Sequence, residues 1–512
     1  MSLDDSKFSS LPQDSDSQKT IDGLLLKERD LSHVEHATRR DEPPVVQYRL
    51  YRRRFTGMIA LILLNIIAAM SWPWFGPISN NVASEFRITL DQVNWLGNIV
   101  ALVYLPGALL VPHIVSCYGI RICCQVGAVA LIFSSWIRYS GTALSLPPNG
   151  AYALLIIGQF FASIAQPLYQ VLSPIYSETW FDLNGRTTAT MILGISNPFG
   201  GAIGQLISPL VGDTRQSILV LGILSTAVTP LVFLISKAPP TPPTYAASKK
   251  TPSLMSLCRA VLGLKTEPAA FMTYRERVDF MIITAIFGVL VAASNSFAIL
   301  SAQILQPAGY SSDESGFMGA CLLLTGMAAA VVTAPLFDRV FTYHLARTAK
   351  YFVPCVAVGW FSLIWAGRPL RQHFWTQLEP DGDPHLVVKP HNTAGLFIIM
   401  TIIGVGSVPM LAVGMELACE LTRNADASSS ILWFAGNLGG IIFILVGGAL
   451  RRGPDASPPL NMKRFLIFQG IIIMAVCSSI FFLQGAQQRK QLDEEKKREL
   501  STQQEMNVSH RS

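Results

Sequence analysis

The sequence predicts an all-α polytopic membrane protein of twelve transmembrane helices in two six-helix halves, and three observations carry that expectation. Only 14% of the 512 residues are charged, whereas a soluble chain carries about 25%. Apolar runs of the ~20 residues needed to cross a ~30 Å hydrocarbon layer recur in two sets of six. With an even number of spans the tails share one side. That side and its loops then hold 29 of the 39 Lys and Arg residues, against 10 on the other, so both termini are expected in the cytoplasm.

Taken in order, residues 1–54 form a polar tail, disordered for most of its length and basic where it meets the membrane at Arg52, Arg53 and Arg54. No positively charged segment followed by an apolar core opens the chain, so no cleavable signal is expected. The first bundle, 55–236, holds spans at 55–82, 92–115, 121–141, 150–177, 187–210 and 216–236. A Pro- and Lys-rich cytoplasmic linker, 237–277, follows, and its 253–264 portion has the pattern of a short amphipathic surface helix. The second bundle, 278–484, holds spans at 279–306, 315–337, 350–367, 394–419, 428–450 and 464–484, ahead of a cytoplasmic tail, 485–512. The sequon at Asn507 falls on that tail and carries no meaning there. The eight cysteines show no ligand spacing and none falls in an outward loop, so neither a disulfide framework nor a metal site is expected. No nucleophile, base and orienting group occur together, and an enzyme is not expected.

The first span sets the tone. It carries Trp72, Pro73, Trp74 and Pro77 inside an apolar run. Each proline removes a backbone donor and frees carbonyls that must find partners in a protein interior or a wet cavity. Trp72 and Trp74 are two residues apart, about 200° around a helix, so one faces the substrate path and the other a neighbour. Span 4 contains Gln159, Gln166 before Pro167, and Gln170. Amides in a bilayer bond across helices or point at a polar ligand; Gln166 reads as a ligand contact and Gln159 as packing, with Gln170 open. Asn295 and Phe297 in span 7 and Asn437 in span 11 repeat the pattern in the second half.

Charge near the membrane faces suggests gating. The loop Ser116 to Arg121 and the segment Pro335 to Arg339 each read as a turn with a basic residue, and the second carries Asp338 beside Arg339. Glu416 and Glu420 share a helix face at the end of span 10, with Arg423, Arg339 and Arg347 as candidate partners. Glu416 is either a coupling acid or half of a structural ion pair. Spans 1, 2, 4, 5, 7, 8 and 11 show no acid, Lys or Arg well inside, which favours facilitated diffusion over proton coupling and leaves His113 a weaker candidate than Glu416.

The two sets of six spans joined by a long basic loop are the layout of the major facilitator superfamily, and the motifs resemble one branch of it. These are Trp72 six residues before Ile78-Ser79-Asn80; Asp91 to Leu96 opening span 2; Gly158-Gln159 and Ala165-Gln166 before Trp180-Phe181; Phe337-Asp338-Arg339 with Thr342-Tyr343; and Gly414 to Thr422. Together they resemble the feline leukaemia virus subgroup C receptor-related carriers of choline and haem. The resemblance implies that Trp72 packs on a quaternary ammonium and that Gln166 lines the same cavity. It departs at Asn295, where that family has a second cage aromatic, and its span 11 glutamine falls at or beside Asn437.

The expected function is transport of a small organic solute, with a choline-like or other amine as candidate, by facilitative alternating access. Alternatives are an exporter of haem or an amphipathic metabolite or drug, and a receptor that does not transport. Substrate contacts are expected at Trp72, Trp74, Gln166, Gln170, Asn295, Phe297 and Asn437, and gating at Arg121, Asp338, Arg339, Glu416 and Glu420. The partners expected are a small-molecule substrate and the lipid bilayer, with no nucleic acid and no cofactor, for a monomer in the plasma membrane or an endomembrane such as the vacuole.

Overall fold

The computed structural model describes residues 50–181, 183–241, 254–266, 271–339, 345–366 and 393–484. The N-terminal tail up to 49, the segment 367–392 and the C-terminal tail from 485, with its sequon, lie outside the described residues. So do the side chains of Ser116, Asp338 and Arg339.

The first span is not continuous. Helix α1 runs Arg53–Met70 and α2 runs Ser79–Phe86, with turns through 71–78 between them. Pro73 and Pro77 cannot donate to a helical ladder, which is why the expected 55–82 span divides there. Spans 2 and 3 do the opposite. A capping box between Thr89 and Gln92 opens α3, Leu90–Ser140, which covers both spans and turns between them at Gly119. Gly119 has φ 81° and ψ 163°, a conformation essentially reserved for glycine.

Helix α4 is Pro148–Trp180 and α5 is Leu183–Leu210, with Pro198 and Pro209 inside it. Helix α6, Thr214–Val228, is capped by the Asp213 side chain and ends in the tighter turn Thr229–Leu234. The short α7, Leu254–Val261, lies in the segment joining the halves. A second capping box, Thr273 with Glu276, starts α8, Tyr274–Leu305. Then follow α9, Ser312–Arg339; α10, Leu345–Ala366; α11, Thr393–Thr422; α12, Ala425–Leu450; and α13, Lys463–Ser478. Ten spans among the described residues are long and apolar enough to cross a membrane; α5 and α10 are the two further long helices of the bundle.

Two separate apolar cores result. One gathers buried residues from Ala60 to Ile235 and the other from Leu257 to Leu483. Within the first half α3 packs on α4 and α1 on α5; within the second α8 packs on α12, α9 on α11 and α10 on α13. The halves meet along two seams, α3 against α12 and α5 against α9. Each half is therefore packed around its own core, and the seams are where the two halves touch.

Candidate functional site

The site begins at the break in α1. Unwinding at Ser71 frees its carbonyl, and Gln159 Nε2 of α4 donates to that oxygen at 2.7 Å. Arg138 of α3 donates to Gln159 Oε1 at 2.9 Å and reaches Ser71 Oγ at 3.5 Å. All three side chains are buried. The freed backbone group thus has a partner inside the protein, held by a guanidinium that is itself hydrogen-bonded. Beside it, Asn65 Nδ2 donates to Ser196 Oγ at 2.7 Å, and Asn197 Nδ2 donates to Asn65 Oδ1 at 3.2 Å, tying α1 to α5. Sequence reasoning missed Arg138 and the Asn65–Asn197 pair. Arg138 sits at the end of an apolar run, where a charge draws no notice; the pairing of Asn65 with Asn197 needs the packing of α1 on α5 to be seen.

This scaffold separates the two indoles. Trp74 is fully buried within the first core. Trp72 is half-buried, crowds Gly201 of α5 together with Leu323 of α9, and packs against the core of the other half. One indole stabilises its own bundle and the other touches both. In the second half Phe297 is buried edge-on against Trp360 at 6.1 Å between ring centres. The structure therefore brings Trp74 and Phe297 into the two cores. Asn295 is half-buried and faces Gly440 of α12. Asn437, one turn back on α12, donates to the Trp433 carbonyl of its own helix at 2.9 Å.

Gln166 is buried, and its Oε1 has no hydrogen-bond partner; Gln170, one turn on, is half-buried. Asn98 of α3 is fully buried with neither its Oδ1 nor its Nδ2 paired. It was not singled out from the sequence, although it lies one turn beyond Asn94 and shares its face. A buried polar group without a partner costs about 1–3 kcal/mol, so these two amides are acceptor and donor capacity held in reserve.

The halves are tied at one end. Asp91 Oδ1 accepts from Arg451 at 2.8 Å, and Arg451 also donates to Gln303 Oε1 at 2.8 Å. Gln303 in turn donates to Asn94 Oδ1 at 2.6 Å. Asn80 Nδ2 donates to Gln306 Oε1, and the Ala302 amide donates to the Gly76 carbonyl at 3.4 Å. Gly76 is required by closeness: a Cβ there would stand 1.9 Å from the Ala298 carbonyl oxygen. Between described residues, every hydrogen bond that joins the two halves lies at this end.

The expected gating residues lie at the other end. Glu416 is exposed on α11 and Glu420, one turn on, is buried; α11 runs on to Thr422 and turns its Glu420 face into the bundle. Arg423, expected near Glu416, pairs with Glu276 of α8 at 3.1 Å. Asp279, also buried, pairs with Arg275 at 2.8 Å. Arg121 and Arg347 are exposed. Among the described residues no cluster of His, Cys, Asp and Glu has the arrangement of a metal site.

Comparison with known proteins places this geometry. Residues 61–444 match the model of the Major Facilitator Superfamily. Solute carrier family 49 member A3 of Xenopus tropicalis is 25% identical over 84% of this chain and 86% of its own length. The choline/ethanolamine transporter FLVCR2 of Homo sapiens is 22% identical, over 78% of this chain and 73% of its own. The fold is shared with a D-xylose-proton symporter, TM-score 0.61 at 12% identity, covering 84% of this chain and 99% of the other. The resemblance read from the span motifs is met by these relatives, and the family is one of transporters rather than enzymes. A bundle of membrane-spanning helices in two cored halves, joined at one end and matched over most of its length, belongs to the major facilitator superfamily.

Proposed function

We propose that the protein carries a small organic amine that keeps its own N–H donors, by facilitative alternating access. The observation that carries this reading is Gln166 Oε1, a buried acceptor without a donor. A quaternary ammonium has no N–H to offer it, whereas a primary amine of the ethanolamine kind does. Trp72 supplies one aromatic face, worth up to about 2 kcal/mol to a desolvated cation. Asn295 stands where the resemblance leads one to expect a second ring, and an amide rewards a donor rather than a methylated cation. Asn98 on α3 and Asn437 on α12, the helices of one seam, add hydrogen-bonding capacity.

The Lys and Arg bias supports a cytoplasmic position for both tails, and the closed end then faces outward. The solute would exchange with the cytoplasm in this state and meet the outside once the Asp91–Arg451 and Asn94–Gln303 ties part. Those ties are modest: a partly exposed ion pair contributes about 0–1 kcal/mol and each hydrogen bond about 1 kcal/mol. A solute shifts such a balance only by the difference between its affinities for the two states, and a difference of a few kcal/mol is enough. The buried carboxylates Glu276 and Asp279 each already hold an arginine, which favours a structural role and supports uniport.

The test is solute counterflow in proteoliposomes without a pH gradient, run with ethanolamine, choline and a porphyrin, alongside thermal shifts in detergent. Ethanolamine uptake, reduced in Gln166→Leu, is the expected result. Stabilisation by choline alone restores the quaternary-ammonium reading, and stabilisation by the porphyrin alone replaces it with an exporter of amphipathic compounds.

A further inference from the structure

A second feature of the first half is unrelated to the seam. A cavity of about 460 Å³ lies between α3 and α4, walled by Val103, Gly107, Leu110, Ile114, Ile164 and Pro167, with Tyr118 also on its lining. Its walls are apolar. We propose that it holds one acyl chain of an anionic phospholipid, with the phosphate at the Gly119 turn.

The direction of the opening comes first. Ile122 and Val126, which line the cavity, continue along α3 into Val129 and Phe133, and all four are exposed. On α4, Phe160 and Ile157 are exposed one and two turns from Ile164. In a membrane-spanning bundle such apolar stripes face hydrocarbon, so the cavity opens to lipid. The face of α3 that carries Asn94 and Asn98 is turned to the seam instead.

The length agrees. From Val103 to Ile114 the groove follows α3 for about 17 Å at 1.5 Å per residue, and one leaflet of the hydrocarbon layer is about 15 Å, half of the ~30 Å total. The lining is apolar and open to hydrocarbon, and a lipid chain is the apolar occupant that a bilayer supplies.

The end of the groove is basic. Arg121 and His113 are exposed on either side of the Gly119 turn, and Tyr118 beside them is 61% exposed. Residues 117–122 bring no carboxylate to that turn. Tyrosine and arginine at the end of an apolar stretch belong at headgroup level, and the charge there suits a phosphate without a compensating amine.

The experiment uses the full-length protein, delipidated in detergent and titrated with dioleoyl phosphatidylglycerol or dioleoyl phosphatidylcholine under native mass spectrometry. Wild type is expected to keep one phosphatidylglycerol in preference to phosphatidylcholine. Val126→Trp, which fills the mouth from an exposed position, is expected to lose that lipid; Leu110→Trp does the same from the other wall should Val126→Trp fold poorly. Arg121→Gln is expected to keep a lipid while the preference falls about fivefold, the ratio one basic side chain gives near an anionic surface. Phe133→Trp, on the same stripe outside the cavity, should change nothing. Equal retention of both lipids by wild type, or retention of phosphatidylglycerol by both filled variants, overturns the proposal.

Discussion

Helices α1 and α8 open the two halves and occupy equivalent places in the order of elements, yet they are built differently. Helix α1 breaks after Met70, sends Trp74 into its own core and leaves Trp72 against both halves. Helix α8 runs unbroken for 32 residues to Leu305, with Phe297 in its core and Asn295 half-buried against Gly440 of α12. The difference traces to proline placement: Pro73 and Pro77 sit inside the first span, whereas Pro307 follows the end of α8. The first half therefore contributes a ring on a backbone that is held by Gln159 and Arg138, and the second contributes an amide on a rigid helix. The two halves share a fold without sharing the chemistry of their first helix.

The largest effect that breaks this comparison is on stability. Trp74→Ala and Phe297→Ala each remove a fully buried ring, and each is expected to cost about 3–5 kcal/mol, read as a lower melting temperature. Trp72→Ala, from a half-buried position, should cost far less and should instead abolish the thermal shift given by the solute. A stable Trp74 variant that no longer binds would place that indole in the site and end the division of labour between the two.

Next in size is the contact that brings the helices together. Gly76→Val puts side-chain atoms where the Ala298 carbonyl stands, and overpacking of this kind costs about 1–3 kcal/mol. That corresponds to a shift of roughly 5- to 150-fold away from the closed end. Solvent accessibility of a cysteine introduced at Ile299, which is buried against Gly97 of α3, measures it. Unchanged accessibility would mean that α1 and α8 do not hold the end shut.

The fold was legible because span length, hydropathy and basic-loop alternation are set by the bilayer, which imposes the same constraint on every helix. The site was legible only in part. Prolines and indoles announced the break in α1, since both are awkward in a lipid-facing helix. Which of Trp72 and Trp74 met the seam depended on the turns at 71–78, and helical spacing does not describe turns. Phe297 looked like a replacement ring two residues from Asn295, but the rotation of α8 spends it on Trp360. The ties at the closed end were missed for a different reason. Asp91, Asn94, Gln303 and Arg451 are ordinary residues for helix ends, and only the pairing of elements far apart in the chain makes them neighbours.

Asn295→Tyr sharpens the comparison by giving α8 the ring that α1 already has. If the preference for an N–H donor comes from the missing ring, choline affinity should rise by roughly tenfold, as one added cation–π face of about 1–2 kcal/mol implies, while ethanolamine affinity should fall. Competition between the two solutes in the counterflow assay reads both changes at once. A variant that gains affinity for neither would show that α8 holds this position away from the solute, leaving Gln166 and Trp72 of the first half to define the substrate.

The smallest effect expected is at the rim of the closed end. Asp91 is 62% exposed and Arg451 only 12%, so Asp91→Asn removes a charge that water already screens while Arg451 keeps its bond to Gln303. The loss should be about 0–1 kcal/mol, at most a fivefold shift toward opening, and it should shrink as salt is raised. Gln303→Leu, by contrast, strips partners from both Asn94 and Arg451 in a buried position, so its effect should be larger and insensitive to salt. If the two variants behave alike across ionic strength, the ion pair and the amide ladder act as one unit. If only Gln303→Leu opens the end, the amides hold the halves together and the exposed pair merely guides them into register.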